Sequence, residues 1–318
     1  LITGRTWRRL VPDFRGAAFE ALAELGILQE VRGHATGMRG TDLLDADGNR
    51  AGELPAEVFA GELEVPKREL TRILHARTAD AVRYVFADSV NAIEQDADGV
   101  RVGFERGAPD TYDLVVGADG LYSAVRRLVF GPHGETVRYL GMSGVGFTAP
   151  NRLGLDHRGA LWQNQGRTVY AFSAADPERM SVSLSFAGDS PKPDLLERAE
   201  QERITRERMA GAGWIVPRLL DDMSAAEDLY FSSACQVHLD RWSEGRVVLV
   251  GDAGYCAAPT SGMGTSQALI GARALARHLT ESGEDHTKAF AAYEQELRPY
   301  VAENQETGRE GARRFGAE

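Results

Sequence analysis

The sequence predicts an α/β protein of two lobes, on three observations. Apolar runs that end in glycine and aspartate and lead into helix-like segments occur at 113–126 and again at 245–264. Between them, from 138 to 238, strand-like and aromatic-bearing runs of another character read as an inserted second domain. The chain has 318 residues, and single cores stop growing at roughly 250 to 300.

Taken in order, Phe19, Leu22, Ala23 and Leu25 mark an amphipathic helix over 13–26, with Asp13 as N-cap and Gly26 as stop. Residues 38–54 hold two apolar runs about Asp45-Ala46-Asp47-Gly48-Asn49, a hairpin. A calcium loop there would need a further ligand before the glycine, which the spacing lacks. Pro66 opens a helix through Ala79, with Leu70, Ile73 and Leu74 at helical spacing. Runs at 89–95, 100–105 and 112–118 form a meander that ends at Gly117-Ala118-Asp119-Gly120, its first two strands joined by the turn Asp96-Ala97-Asp98-Gly99.

In the inserted stretch, runs at 144–149, 160–163, 168–173 and 180–187 precede a charged helix over 195–209. Its aromatics, including Trp162, Tyr170, Phe172 and Trp214, are expected to be mostly core. The buried run 246–250 then leads, through a loop bearing Pro259, to a helix with Leu269, Ala272, Ala276 and Leu279 on one face. A last helix from Thr287, rich in Glu and Arg, is expected on the surface.

A formal net charge of -11 argues against nucleic-acid or anionic-membrane surfaces, which call for a basic face. An anionic cofactor would have to be held mainly by backbone N–H groups. Cys235 and Cys256 lie far apart in the sequence, fit no metal or redox spacing, and suit a reducing cytosol. No stretch approaches the ~18 apolar residues of a membrane span, and a cytoplasmic location is expected. The seven histidines include no pair at metal spacing, and Gly141-Met142-Ser143-Gly144 lacks the last glycine of a nucleophile elbow.

The strongest chemical signal runs from Gly245 through Gly251-Asp252-Ala253 to Pro259 and Gly262-Met263-Gly264. A buried strand ending in Gly-Asp lies where open α/β sheets bind ligands, and its acid can accept a hydrogen bond from a sugar hydroxyl. The glycines beyond let backbone lie against a flat ring. A helix starting near Thr265 then offers free N–H groups and partial positive charge. The second signal runs from Asp113 through Asp119-Gly120 to Arg126, with Ser123 placed to begin a helix. Asp119 would order that loop and reach a cofactor through water or main chain.

Together these motifs resemble the Asp-Gly and Gly-Asp fingerprints of the class A flavoprotein monooxygenases, the p-hydroxybenzoate hydroxylase-like family, and most resemble its tetracycline-inactivating and polyketide-tailoring branch. The resemblance implies a Rossmann-like FAD lobe (1–37, 62–137 and 239–318) and a mixed-sheet substrate domain inserted in it (38–61 and 138–238). It implies that FAD takes hydride from NAD(P)H, reacts with O2, and passes one oxygen atom from a C4a-hydroperoxide to an aromatic or polyketide-like molecule. The cofactor would carry the hard chemistry, and no catalytic acid or base stands out. Carried over by position, Asp252 would bind ribitol, Pro259 and Gly262 to Gly264 would flank the isoalloxazine, and the backbone of Val90 would pair with adenine. Gln165, before Gly166, is a polar candidate for the substrate cavity, with a plain turn residue as the alternative.

Two departures qualify the resemblance. Where the family usually has arginine this chain has Lys67, with Arg68 beside it, and a lysine offers a point charge in place of a planar fork. No Gly-x-Gly-x-x-Gly appears near the N-terminus. Leu1-Ile2-Thr3-Gly4 resembles only the tail of the family's first strand and its first glycine, so the first βαβ unit reads as incomplete. That absence leaves open a second function, a flavin-fold protein without FAD that serves as a redox-silent binding or assembly partner.

Overall fold

A computed structural model describes residues 13–174, 176–188 and 196–315; the Leu1 to Gly4 stub lies outside them. Five strands of the inserted stretch join two from 38–61 in a seven-stranded sheet, in the spatial order Tyr230–Val237, Val137–Pro150, Arg179–Ala187, Arg167–Ser173, Arg158–Asn164, Thr41–Leu44 and Arg50–Leu54. All neighbours are antiparallel except Arg158–Asn164 with Thr41–Leu44, which run parallel. Strand periodicity explains the burial. Met180, Val182, Leu184 and Phe186 enter a core, whereas Ser181, Ser183 and Ser185 between them stay half-buried on the opposite face.

The helix Val216–Ala225 covers that core with Val216, Leu219, Leu220 and Met223. This helix and the strand Tyr230–Val237 were not anticipated. Pro217 looks like a breaker, yet it sits in the helix's first turn, where its missing N–H costs nothing.

The second lobe corrects several expectations. The run 112–118 is not one strand of the meander. Asp110–Tyr112 closes the meander against Val100–Phe104, while Val115–Gly117 leaves it to pair in parallel with Val247–Leu249, Val115 opposite Val247 and Gly117 opposite Leu249. The fully buried Val247 and Leu249 pack with Val125 there, and a Cβ on Gly117 would stand 2.6 Å from the Leu249 side chain. Asp13 caps no helix: Asp13–Phe14 pairs with Leu63–Glu64, which buries Phe14 completely. The helix that follows is Ala18–Glu24, with Ala17 at its N-cap.

Helix Gly264–Ser282 buries Gln267, Gly271, Ala274 and Leu275, and the expected face is wrong at Ala272 and Ala276, which are exposed. The last helix, His286–Arg314, is no surface appendage. It buries Phe290, Tyr293, Leu297, Val301, Asn304, Gln305, Gly308 and Ala312 along one stripe. Cys235 and Cys256, distant in sequence, are adjacent in space: the buried Cys256 thiol points at the Cys235 carbonyl, 3.4 Å away.

Candidate functional site

The parallel pairing of Val115–Gly117 with Val247–Leu249 brings the carboxyl ends of both motif strands together. The Val250 N–H donates to Gly117 O at 2.9 Å; the chain then turns at Gly251, φ 64°, into the short helix Asp252–Tyr255. In the loop after the neighbouring strand, Asp119 accepts from Ser123 Oγ at 2.5 Å and from Val125 N at 3.1 Å, while Ser123 Oγ accepts from Arg126 N at 2.9 Å. Both Asp119 oxygens thus serve the start of helix Ala124–Val129, where a carboxylate also complements the helix dipole.

Arg126 joins the two motifs, a role that sequence reasoning did not assign. It is fully buried. Its guanidinium donates to Ala253 O (2.7 Å), Leu121 O (2.5 Å) and Thr136 Oγ1 (3.2 Å), and lies 3.1 Å from His133 Nδ1. Burial lowers its pKa and the Asp119 charge opposes that shift. The only advance signal was a cation between the apolar Val125 and Val129 on a short helix.

Asp252 is open to solvent although protein surrounds it on most sides, the position of a cleft floor. That enclosure pushes its carboxyl pKa up, against a hydrogen bond from Cys256 and the charge of Lys67. Lys67 is half-buried at the start of helix Lys67–Thr78; burial lowers its pKa and Asp252 raises it. The fold therefore couples Lys67 to Asp252 across 185 positions. Arg68 is turned elsewhere, exposed and bonded to Glu69 at 3.0 and 3.2 Å.

Beyond Asp252, Ala258 takes φ 75°, ψ 153°, a region that strains any residue except glycine. The turn Pro259–Ser261 and the left-handed Gly262 (φ 66°) then deliver Met263 and Gly264 to the N-terminus of a 19-residue helix. Ser261 ties this loop together, donating to Ala258 O at 2.8 Å and accepting from Met263 N at 3.1 Å. No atom lies within 4 Å of where a Cβ on Gly264 would sit. An accessible carboxylate, an adjoining cation, a glycine-bearing loop with open space beside it and a helix N-terminus suit a flat ring attached to a polyol.

Val90 begins the edge strand of the sheet Val90–Gln95, Val100–Phe104, Asp110–Tyr112 and packs its side chain on the core that contains Val125 and Leu249. Gln165 is an exposed residue at φ 49° in the two-residue turn between Asn164 and Arg167, a placement that the hairpin alone explains. The Asp45 carboxylate is taken up by the Asp47 and Asn49 amides of its own turn.

A groove of about 710 Å³ is lined by Thr136, Arg138, His238, Trp242, Tyr255 and Arg298 among others. His238 Nε2 donates to Gln236 Oε1 at 3.0 Å. Burial, then Arg138 and Arg309, lower its pKa to about 4. An unfolded chain protonates this imidazole near pH 6.5, the folded one only near 4. The unfolded state therefore binds more protons between those values, and stability falls as pH drops from 6.5 to 4. Unfolding midpoints across that window should decline less steeply in His238→Gln than in the wild type; equal slopes would remove His238 from the account.

Among the described residues no helix is long and apolar enough to cross a membrane. A family model described as an FAD binding domain matches residues 14–307. The protein Rv1260 of Mycobacterium tuberculosis is 39% identical over 299 residues, which are 92% of this chain and 80% of that protein. A flavin-dependent monooxygenase of Legionella longbeachae is 34% identical over 300 residues, 93% of this chain and 77% of that one. The crystal structure of the tetracycline destructase Tet(55) superposes with a TM-score of 0.87 at 35% identity, over 96% of this chain and 79% of that one. With its motif strands paired and its sequence matched over nearly its whole length, the chain belongs to the class A FAD-dependent monooxygenases.

Proposed function

We propose that this chain binds FAD in the cleft floored by Asp252, takes reducing equivalents from NAD(P)H, and inserts one oxygen atom from O2 into an aromatic or polyketide-like small molecule. The observation that carries this is Asp252, solvent-accessible, within electrostatic reach of Lys67, and followed by a turn at Gly262 with open space beside Gly264. Bound FAD would supply the redox and oxygen chemistry.

The protein's own residues bind and orient. Asp252 would accept from a ribityl hydroxyl. Pro259, Gly262, Met263 and Gly264 would hold the ring, and the first-turn amides of helix Gly264–Ser282 would favour negative charge there. Lys67 adds a positive charge at the same side, whereas Arg68 stays a solvated helix cation. Asp119 and Arg126 hold the adjoining loop, and the edge backbone at Val90 faces adenine. In this scheme 1–37, 62–137 and 239–318 form the cofactor lobe, and 38–61 with 138–238 the substrate lobe. The likeness to a protein named a tetracycline destructase supports a polyketide-like substrate.

Purified chain should take up FAD to give a flavin spectrum, and an aromatic polyketide should stimulate NAD(P)H oxidation with label from 18O2 appearing in product. Asp252→Ala should weaken FAD binding about tenfold to a hundredfold, the worth of one charge-assisted hydrogen bond. A wild-type chain that stays colourless after reconstitution would overturn the proposal in favour of a redox-silent binding partner.

A further inference from the structure

Three successive carbonyls lead from the Asp252 helix into the strained loop, and each receives a buried glutamine amide from a different element. Gln267 Nε2, on helix Gly264–Ser282, donates to Tyr255 O at 2.9 Å. Gln305 Nε2, on the last helix, donates to Val237 O at 2.8 Å and Cys256 O at 3.4 Å. Gln236 Nε2, on strand Tyr230–Val237, donates to Gln305 O at 2.6 Å and Ala257 O at 3.2 Å. The three side chains are 2%, 8% and 0% exposed, so each amide has been taken out of water for this purpose.

Two of them are also oriented from behind. Asn304 Nδ2 donates to Gln267 Oε1 at 2.8 Å, and Arg309 Nη1 donates to Gln236 Oε1 at 3.4 Å. Because those oxygens are occupied by donors, the NH2 ends must face the loop carbonyls. A peptide unit is planar, so holding the carbonyls of Tyr255, Cys256 and Ala257 also sets the direction of the next three N–H groups. It thereby fixes the approach to Ala258, whose φ 75°, ψ 153° persists only where its surroundings enforce it.

We propose that Gln236, Gln267 and Gln305 are positioning residues that hold the peptides of residues 255–258 so that Pro259 to Gly264 stands in the geometry that receives the cofactor. This rests on the FAD proposal above. The three glutamines touch no cofactor themselves; they act through the loop.

The test uses the full chain as wild type, Gln236→Met, Gln305→Met and Asp252→Ala, the methionines keeping volume while removing the donor. Amide hydrogen exchange is followed over 255–262 without FAD, and the FAD Kd of the folded fraction is measured by flavin fluorescence. Each methionine variant should exchange faster within 255–262 and bind FAD about tenfold more weakly, whereas Asp252→Ala should weaken FAD binding with unchanged exchange in 256–262. If Gln236→Met does not fold, Gln305→Met, which leaves the Gln236 side chain in place, carries the same comparison. Unchanged exchange, or faster exchange with an unchanged Kd, overturns the proposal. Faster exchange in the variants of a wild type that binds no FAD would defeat the FAD proposal, and this one with it, while leaving the pinning of the loop in place.

Discussion

Arg126→Leu should destabilise the cofactor-free chain by about 3 kcal/mol, the scale for removing one partner of a buried charged network. The arginine is fully enclosed and supplies hydrogen bonds to the carbonyls of Ala253 and Leu121 and to the Thr136 hydroxyl. Leucine recovers the cost of burying a guanidinium but leaves those acceptors without their donor. Loss of the donors should therefore win. Arg126→Lys keeps the charge and loses the planar fork, so it should fall between. Since the Ala253 bond holds the Gly-Asp helix against the Asp-Gly loop, FAD affinity should fall further than stability alone accounts for. Urea denaturation and FAD titration of both variants check this. A wild-type denaturation midpoint for Arg126→Leu would show that the cross-tie contributes nothing.

What the sequence made legible was what short-range physics controls. The valines of 247–249 sit in an unbroken apolar run, and a run of that kind with Gly-Asp at its end has few alternatives to a buried strand entering a turn. The hairpin at Asp45 to Asn49 was readable because its aspartate bonds its own backbone. Pairing was less accessible. The valines of 115–117 suit an antiparallel meander as well as a parallel partner, and only the presence of Val247 and Leu249 more than a hundred residues later decides between them.

The last helix misled for a similar reason. Its many Glu and Arg residues dominate composition, while a stripe through Phe290, Tyr293, Leu297 and Val301 decides burial. At the site, Asp252 and Lys67 were named separately, but their mutual electrostatic influence exists only once the fold places them together. Arg126 left only the trace of a cation within a short apolar helix, and the three glutamines left none. A polar side chain buried for the sake of another segment's carbonyls leaves no periodic trace in its own segment.

Gly308→Ala should destabilise the chain by up to about 2 kcal/mol, and the sign is the informative part. In a helix interior alanine is favoured over glycine by about 1 kcal/mol, so propensity alone predicts a gain. A Cβ at Gly308, however, would stand 2.0 Å from Ala257 O, and one at Gly311 would stand 2.2 Å from Thr260 O. Both obstacles are backbone atoms of the loop that follows the Asp252 helix, and Thr260 Oγ1 draws that loop onto Gly308 O at 2.7 Å. Overpacking against backbone costs about 1 to 3 kcal/mol, enough to cancel the propensity gain and exceed it. Relief would come from moving either the last helix or the loop, and the loop, already strained at Ala258, should give first. FAD affinity should then drop along with thermal stability. Gly134→Ala, in the short helix His133–Thr136 where a Cβ would meet nothing within 4 Å, serves as the control: stability should hold or rise slightly, and FAD affinity should stay unchanged. A Gly308→Ala chain more stable than wild type, with FAD binding intact, would mean that the last helix does not press on the loop.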